Sequence, residues 1–463
     1  MLQRHGMHNH PQSLRVPQDV HLQAETGRTS RHCEIAAKLH IDEHEDMDIT
    51  IVGGGIIGLA SAWFLRADGH QVTVVDACER VGQGASNANG GQLSYRYVAP
   101  LAEPGVLAKI PGWMLRSDAP IRFKPAFDSR QWAWIAQFLR ACNGRDQAAS
   151  IASLLPLSLY SRRLMDDLRK TTDFDFAWRR NGKLVLHRDP ASFAAARRLL
   201  ASSPGADGEQ FALDARGCLD VEPALERMAP HLAGGIHTPS EEVGDCLALC
   251  EALEKGLRQG PGAATFRMTE RVERIELAAG RYHALQTDRG RIRGDACVIA
   301  NGVDAASLLR SVGVGVPIYP LKGYSISAPL VAPGKAPEIS VTDFQRKVVY
   351  ARIGNQLRVA GMADIVGHDR SIRPARIDLL KRETAENFGT AADLPRAREW
   401  CGLRPATPSG RPIIGASKVP GVWLNLGQGA LGFTLAAGSA RVLADRMGGC
   451  TPAIPDAPFA PVA

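Results

Sequence analysis

The run Asp48-Ile-Thr-Ile-Val-Gly-Gly-Gly-Ile-Ile-Gly58 constrains this chain more than any other stretch. Ile49 to Val52 is short, β-branched and does not alternate, the pattern of a strand buried on both faces. Gly53, Gly55 and Gly58 then supply G-x-G-x-x-G where the strand passes into a helix. In such a turn the first glycine permits the tight bend and the second lets a pyrophosphate approach the backbone. The third lets the helix pack closely on the strand, its N-terminus facing the phosphates. Leu59 to Leu65 continues as a helix into a second apolar strand, Val72 to Asp76, whose terminal carboxylate can accept hydrogen bonds from a ribose. A bare glycine motif is a weak signal. Strand, glycines, amphipathic helix, strand and terminal acid together predict a dinucleotide site, against the plainer reading of a parallel-sheet turn with no nucleotide.

With 463 residues, 45% hydrophobic and 22% charged, the chain can bury the cores of two or three domains. Its longest apolar runs fall short of what a bilayer span requires. Formal net charge is +7; residues 1–46 hold five Lys/Arg against seven Asp/Glu, a net of −2, so the remainder carries +9. That charge favours an anionic substrate or an anionic membrane surface, although single pairs such as Arg162–Arg163 read as solvated surface. The nine cysteines are scattered without C-x-x-C, and Cys246 and Cys250 have no partner pair to complete a metal site. A reduced, cytoplasmic chain without a metal or nucleic-acid partner is expected. Residues 1–46 hold seven of the 13 histidines and lack the apolar core of a signal peptide. They are expected to be a disordered or non-native extension, with Met47 as the functional start.

Beyond Asp76, Glu79 to Gln92 is a Gly/Asn/Ser-rich loop of the kind that packs on a bound cofactor. From 100 to 240 the α/β rhythm lapses: Leu154 to Leu168 is helical, and Asn181 to His187 reads as a turn and strand. Leu247 to Leu257 is helical again, and Arg271–Leu277, Arg281–Thr287 and Gly290–Arg293 read as a β-meander feeding the buried strand Ala296–Gly302. Pro317 to Ile365 alternates as strands do, and residues 371–398 are charged and helical. Trp400 to Gly415 is punctuated by Gly and Pro. Val422 to Thr434 is then a strand entering a second glycine-rich helix start, whose helix stops at Gly448-Gly449. Such an N-terminus offers positive potential to a developing anion.

Two glycine-rich helix starts at opposite ends of one chain resemble the D-amino-acid oxidase superfamily of FAD enzymes, and within it the bacterial D-amino acid dehydrogenases. The likeness is carried by Gly53–Gly58, Ser86–Gln92, Gly244-Asp-Cys246, Pro320–Ser325, Gly361–Gly367, Gly402-Leu-Arg-Pro405 and Gly427–Thr434, covering about residues 47 to 450. It implies an α/β fold: a Rossmann-like FAD-binding domain (parallel sheet plus β-meander) with a second, α+β substrate domain. The expected division gives 47–110, 240–316 and 400–450 to the FAD domain, 111–239 and 317–399 to the substrate domain, and 451–463 to a tail. Ile51, Val52, Gly53, Gly54, Gly55, Ile56, Ile57 and Gly58 would surround the pyrophosphate. Asp76 would take the ribose, Val272 the adenine edge, and Ala300 and Gly302 the end of the buried strand. The isoalloxazine would lie between Ser86, Asn89, Gly91 and Gln92 and the turn of Gly427, Gly429, Gly432 and Thr434, the last helix stabilising charge at N1–C2=O.

The resemblance also implies that Arg404 clamps a substrate carboxylate bidentately and so aims a Cα–H at the flavin. Tyr324 is a second candidate on the carboxylate side, with a buried core tyrosine as the equal alternative; Tyr95 and Tyr97 read as core. The chain departs from the family pattern at Ser409, Gln428 and Asp364, and Cys401 stands near where related enzymes attach flavin. The implied reaction is oxidative deamination of a D-amino acid to a 2-oxo acid and ammonia, with electrons passed to a membrane quinone chain or another acceptor rather than oxygen. Alternatives are a D-hydroxyproline, sarcosine or glycine substrate, a flavin-binding subunit without chemistry, and a nicotinamide dehydrogenase.

Overall fold

The computed structural model describes residues 46–106, 110, 112, 119–201 and 208–461. The expectation for residues 1–46 therefore falls, Asp46 excepted, outside the described residues. Six strands form the first sheet, in the order Ile413–Ala416, Val422–Leu426, Ala296–Ile299, Asp48–Val52, Gln71–Asp76, Thr265–Met268, parallel except for the antiparallel edge strand Ile413–Ala416. Its central strands are buried on both faces. Ile49, Ile51, Val74 and Val298 pack with Leu59, Leu65, Leu253 and Leu443 of helices Ile56–Ala67, Cys246–Leu257 and Gly432–Met447. Val52, Val75, Cys297 and Ile299 pack on the other side against Leu285 and Ile292 of the meander and Leu309 of helix Ala305–Arg310. Each fully buried aliphatic side chain adds about 1.5–3 kcal/mol, so both faces must be apolar and no alternation is visible in the sequence.

The second sheet has nine strands and is mainly antiparallel. Its path runs Arg398–Ala406, Tyr319–Pro329, Gln356–Ile365, Val348–Ile353, Ser340–Asp343, Lys183–His187, Gly234–Thr238, Phe211–Leu213, and Ile121–Phe123 joins alongside Gln356–Ile365. Between Tyr319–Pro329 and Gln356–Ile365 the register shifts: Lys322 faces Asp364 whereas Tyr324 faces Gly361. The extra residue is a bulge, and Met362 within it sits at φ +68°, a left-handed conformation that a methionine adopts only when its surroundings impose it.

Three expectations change. Trp400 to Gly415, punctuated by Gly and Pro, contains most of an edge strand: Arg398–Ala406 pairs residue by residue with Tyr319–Pro329. Pro405 is tolerated because an edge strand has one side with no partner to satisfy. Part of the 400–450 segment assigned to the FAD domain thus belongs to the larger sheet. The charged 371–398 stretch is helical only over Pro374–Phe388. The C-terminal segment packs rather than trailing, with Ile454 and Phe459 buried in the core of the first sheet.

Candidate active site

A cavity of about 960 Å³ lies between the two sheets, lined by residues from Val52 to Thr434. At its nucleotide end the glycine turn is forced by close approach. A Cβ on Gly53, at φ +118°, would fall 2.7 Å from the Ala300 carbonyl oxygen, and one on Gly58 would fall 1.8 Å from that of Gly53. Helix Ile56–Ala67 begins at Gly55 with no side-chain cap, leaving its positive end to the cavity. Asp76 accepts the Gly54 N–H at 2.6 Å on one carboxylate oxygen and the Cys78 N–H at 2.7 Å on the other, so it is fixed yet keeps lone pairs for a ligand. Arg271, Val272 and Asn301 complete this end, and Asn301 Oδ1 is buried without a hydrogen-bond partner among the described residues.

At the far end, the 86–92 loop is held on the larger sheet. Ser325 Oγ donates to the Ala88 carbonyl at 2.7 Å and Arg358 Nη1 to that of Asn89 at 2.8 Å. Ser86 Oγ accepts from Ile56 N at 3.1 Å, which ties the loop to the first helix start. Opposite stands the start of helix Gly432–Met447, again without a side-chain cap. Thr434 Oγ1 accepts from Ser94 N at 3.1 Å. Two helix N-termini face one cavity, neither capped by its own N-cap side chain, and give it two places for negative charge.

Arg404 enters from the edge strand. Its Nη1 donates to the Met362 carbonyl at 2.7 Å, so the bulge supplies the acceptor that holds the guanidinium. The guanidinium lies over Gly323, two residues along the neighbouring strand from Arg404's own partner Leu321: a Cβ there would come within 2.6 Å of its central carbon. Gly402 accommodates the Trp400 ring in the same way. Burial depresses the Arg404 pKa, with Asp364 opposing, and a guanidinium stays charged regardless. Among the described residues no carboxylate lies within ion-pair distance of Arg404. Asp364 instead pairs with Arg376 Nη2 at 2.5 Å and accepts the Tyr324 hydroxyl at 3.1 Å. Tyr324 lines the cavity, but its hydroxyl is committed to Asp364, and burial pushes its pKa up.

The cavity brings together Val52, Gly53, Gly55, Ile56, Ile57, Asp76, Ser86, Asn89, Gly91, Gln92, Val272, Ala300, Gly302, Tyr324, Arg404, Gly429, Gly432 and Thr434. Ile51, Gly54, Gly58 and Gly427 stand behind it. Ile51 is in the core, Gly54 holds Asp76, Gly58 seats the helix, and Gly427, at φ +80°, turns against Thr407. Tyr97, expected in the core, lines the cavity, as do Lys183, Thr342, Lys347, Trp400 and Cys401, which the sequence did not single out as a group. Lys183 and Thr342 reach it through strand pairing with no local signature, and Cys401 was visible only by its place before Gly-Leu-Arg.

The shape and polar groups suit FAD: a fixed carboxylate, a helix start and an orphaned amide oxygen at one end, and a second helix start at the other. The FAD dependent oxidoreductase (DAO) family matches residues 48–446. The chain is 48% identical over 407 residues to "D-amino acid dehydrogenase 2" of Pseudomonas aeruginosa, covering 88% of this chain and 96% of that protein. It is 46% identical to the protein of the same name from Ralstonia nicotianae over 89% and 99% of the two chains. Glycine oxidase from Geobacillus kaustophilus shares the fold at a TM-score of 0.71 and 23% identity, over 90% of this chain and 98% of that one. From the glycine turn to the last helix, this chain belongs to the DAO family of FAD-dependent oxidoreductases.

Proposed function

We propose that this enzyme oxidatively deaminates D-amino acids such as D-alanine to the 2-oxo acid and ammonia, passing electrons to an acceptor other than oxygen. The observation that carries the substrate class is Arg404: a guanidinium on the cavity wall, held from behind by the Met362 carbonyl, with no carboxylate partner among the described residues. Such a fork pairs with a carboxylate through two parallel hydrogen bonds and fixes its orientation. The names of the relatives supply the D-stereochemistry and the dehydrogenase character. Bound FAD supplies the hydride acceptor. The protein's own part is to bind the carboxylate through Arg404 and to hold Arg404 in place through Met362 and Gly323. The Tyr324–Asp364–Arg376 group supports the wall on the carboxylate side. No helix of the described residues is long and apolar enough to cross a membrane. The net charge of +7 favours a peripheral place on an anionic inner membrane surface, beside a quinone acceptor.

An anaerobic screen tests this. FAD-loaded protein is mixed with D-alanine, other D-amino acids, their L-enantiomers, sarcosine and glycine, and bleaching of the flavin band is followed. Bleaching by D-amino acids with the L-forms inert is the expected result. Bleaching by sarcosine or glycine alone would overturn the substrate assignment.

A further inference from the structure

Strand Lys183–His187 carries one cation into the cavity wall that the reading above leaves idle. Lys183 is 2% exposed, and its Nζ donates to Gln92 Oε1 at 2.8 Å and Ser94 Oγ at 2.7 Å. The Tyr97 ring centroid lies 4.7 Å away. An ammonium has three donors, and among the described residues hydrogen bonds engage two. Ser94 in turn gives its N–H to Thr434 Oγ1 in the first turn of helix Gly432–Met447, so a single residue separates the cation from that helix start. Gln92 Nε2 also holds Ser340 Oγ, the residue paired with Lys183 across the sheet.

The charged and titratable groups around Lys183 are few. Glu241 is the carboxylate, already accepting the N–H groups of Tyr95 and Arg96 at 2.6 and 2.7 Å, with Arg162 beyond it. Tyr97 faces Lys183 from the loop, and strands Gly234–Thr238 and Ser340–Asp343 present only Thr238, Ser340 and Thr342. Lys347 lines the same cavity but pairs with Glu103 at 3.4 Å. Burial pushes the Lys183 ammonium down to about 8, with Glu241 opposing.

We propose that Lys183 is a positioning residue for the redox step: through Gln92 and Ser94 it directs a buried positive charge to the end of the isoalloxazine that faces the last helix, and so favours the ring's reduced, negatively charged form. The inference rests on the placement of the ring beside Thr434. A charge held away from water acts over several ångströms with little screening, and the effect requires the proton. Methionine at this position loses it, arginine keeps it at any working pH, and the native lysine surrenders it as pH rises past about 8.

FAD-loaded wild type, Lys183→Met and Lys183→Arg are compared from pH 6.5 to 9.5 by midpoint potential and by affinity for sulfite, which binds oxidised flavin and leaves negative charge on the ring. At pH 7, Lys183→Met is expected to bind sulfite about tenfold more weakly. A tenfold change in the two-electron reduction equilibrium corresponds to a potential lower by about 30 mV. Wild type should converge on Lys183→Met above pH 8, while Lys183→Arg holds its affinity to pH 9. Wild type and Lys183→Met agreeing within twofold at pH 7, or wild type and Lys183→Arg sharing one pH slope, would overturn the proposal. Should Lys183→Met not retain FAD, the second comparison decides alone. A yellow protein bleached by D-alanine yet indifferent to Lys183 sinks this inference only, whereas a colourless one sinks the functional reading beneath it.

Discussion

Arg404 shows how much of this site depends on what lies beside a residue rather than on the residue itself. Its guanidinium rests across Gly323 and against the carbonyl of a strained Met362. Removing one partner of a buried charged pair costs about 2–5 kcal/mol, so Arg404→Ala should lower kcat/KM for D-alanine about 30- to 5,000-fold, chiefly through KM, with the flavin spectrum intact. Arg404→Lys should recover little, because an ammonium cannot reproduce the planar fork. Gly323→Ala probes the same clamp without touching it. The new methyl would meet the movable end of Arg404 rather than backbone, so the protein should fold and bind FAD while KM for D-alanine rises at least tenfold. Unchanged KM in steady-state dye reduction would show that the guanidinium does not need its place over Gly323.

Among the elements, helix Pro374–Phe388 carries a stability prediction of its own. Glu383 on this helix is buried, with one oxygen 3.5 Å from Arg346 and the other without a hydrogen-bond partner among the described residues. Burial pushes its carboxyl up to about 7, Arg346 opposing and Asp343 adding to the rise. Between the ordinary carboxylate value of about 4.5 and about 7 the folded state therefore binds more protons at this site than the unfolded chain. Its contribution to stability is complete below that window and is lost as pH rises through it. Melting temperature should fall from this cause between pH 4.5 and 7, and Glu383→Gln should flatten the fall. Superimposable melting curves for the two proteins would refute it. What the sequence disclosed at this scale follows range of interaction. The turn at Gly53–Gly58 and the start at Gly432 are set by neighbouring residues and were legible. The strand Arg398–Ala406 was not, because Gly402 and Pro405 read locally as breakers and only pairing with Tyr319–Pro329 makes them strand. Lys183 was hidden for the same reason: the stretch Asn181 to His187 reads as a turn and strand, and the burial of its lysine comes from Ser340 and Thr238 on distant strands.

Over the whole molecule, the cavity wall is drawn from both sheets and from nearly the full described length, with Gly53 and Thr434 facing one space. The 86–92 loop is fastened to the first helix through Ser86 and to the larger sheet through Ala88 and Asn89. A ligand filling that space therefore touches both sheets and the loop fastened between them. Any ligand bound only by the folded state stabilises it by RT ln(1 + [L]/Kd), about 2.7 kcal/mol at a hundredfold excess over Kd. Apoprotein titrated with FAD should thus melt about two to three degrees higher at a hundred times Kd than at Kd, with the two sheets unfolding in one transition followed alike by far-ultraviolet dichroism and tryptophan fluorescence. Gly58→Ala should abolish the shift, since its methyl would fall 1.8 Å from a backbone oxygen that has nowhere to move, displacing the helix start that faces the pyrophosphate. An apoprotein whose melting is indifferent to FAD, or a Gly58→Ala protein that gains the full increment, would mean that the first glycine turn does not hold the cofactor, and with it the joining of the two chain ends around one flavin would fail.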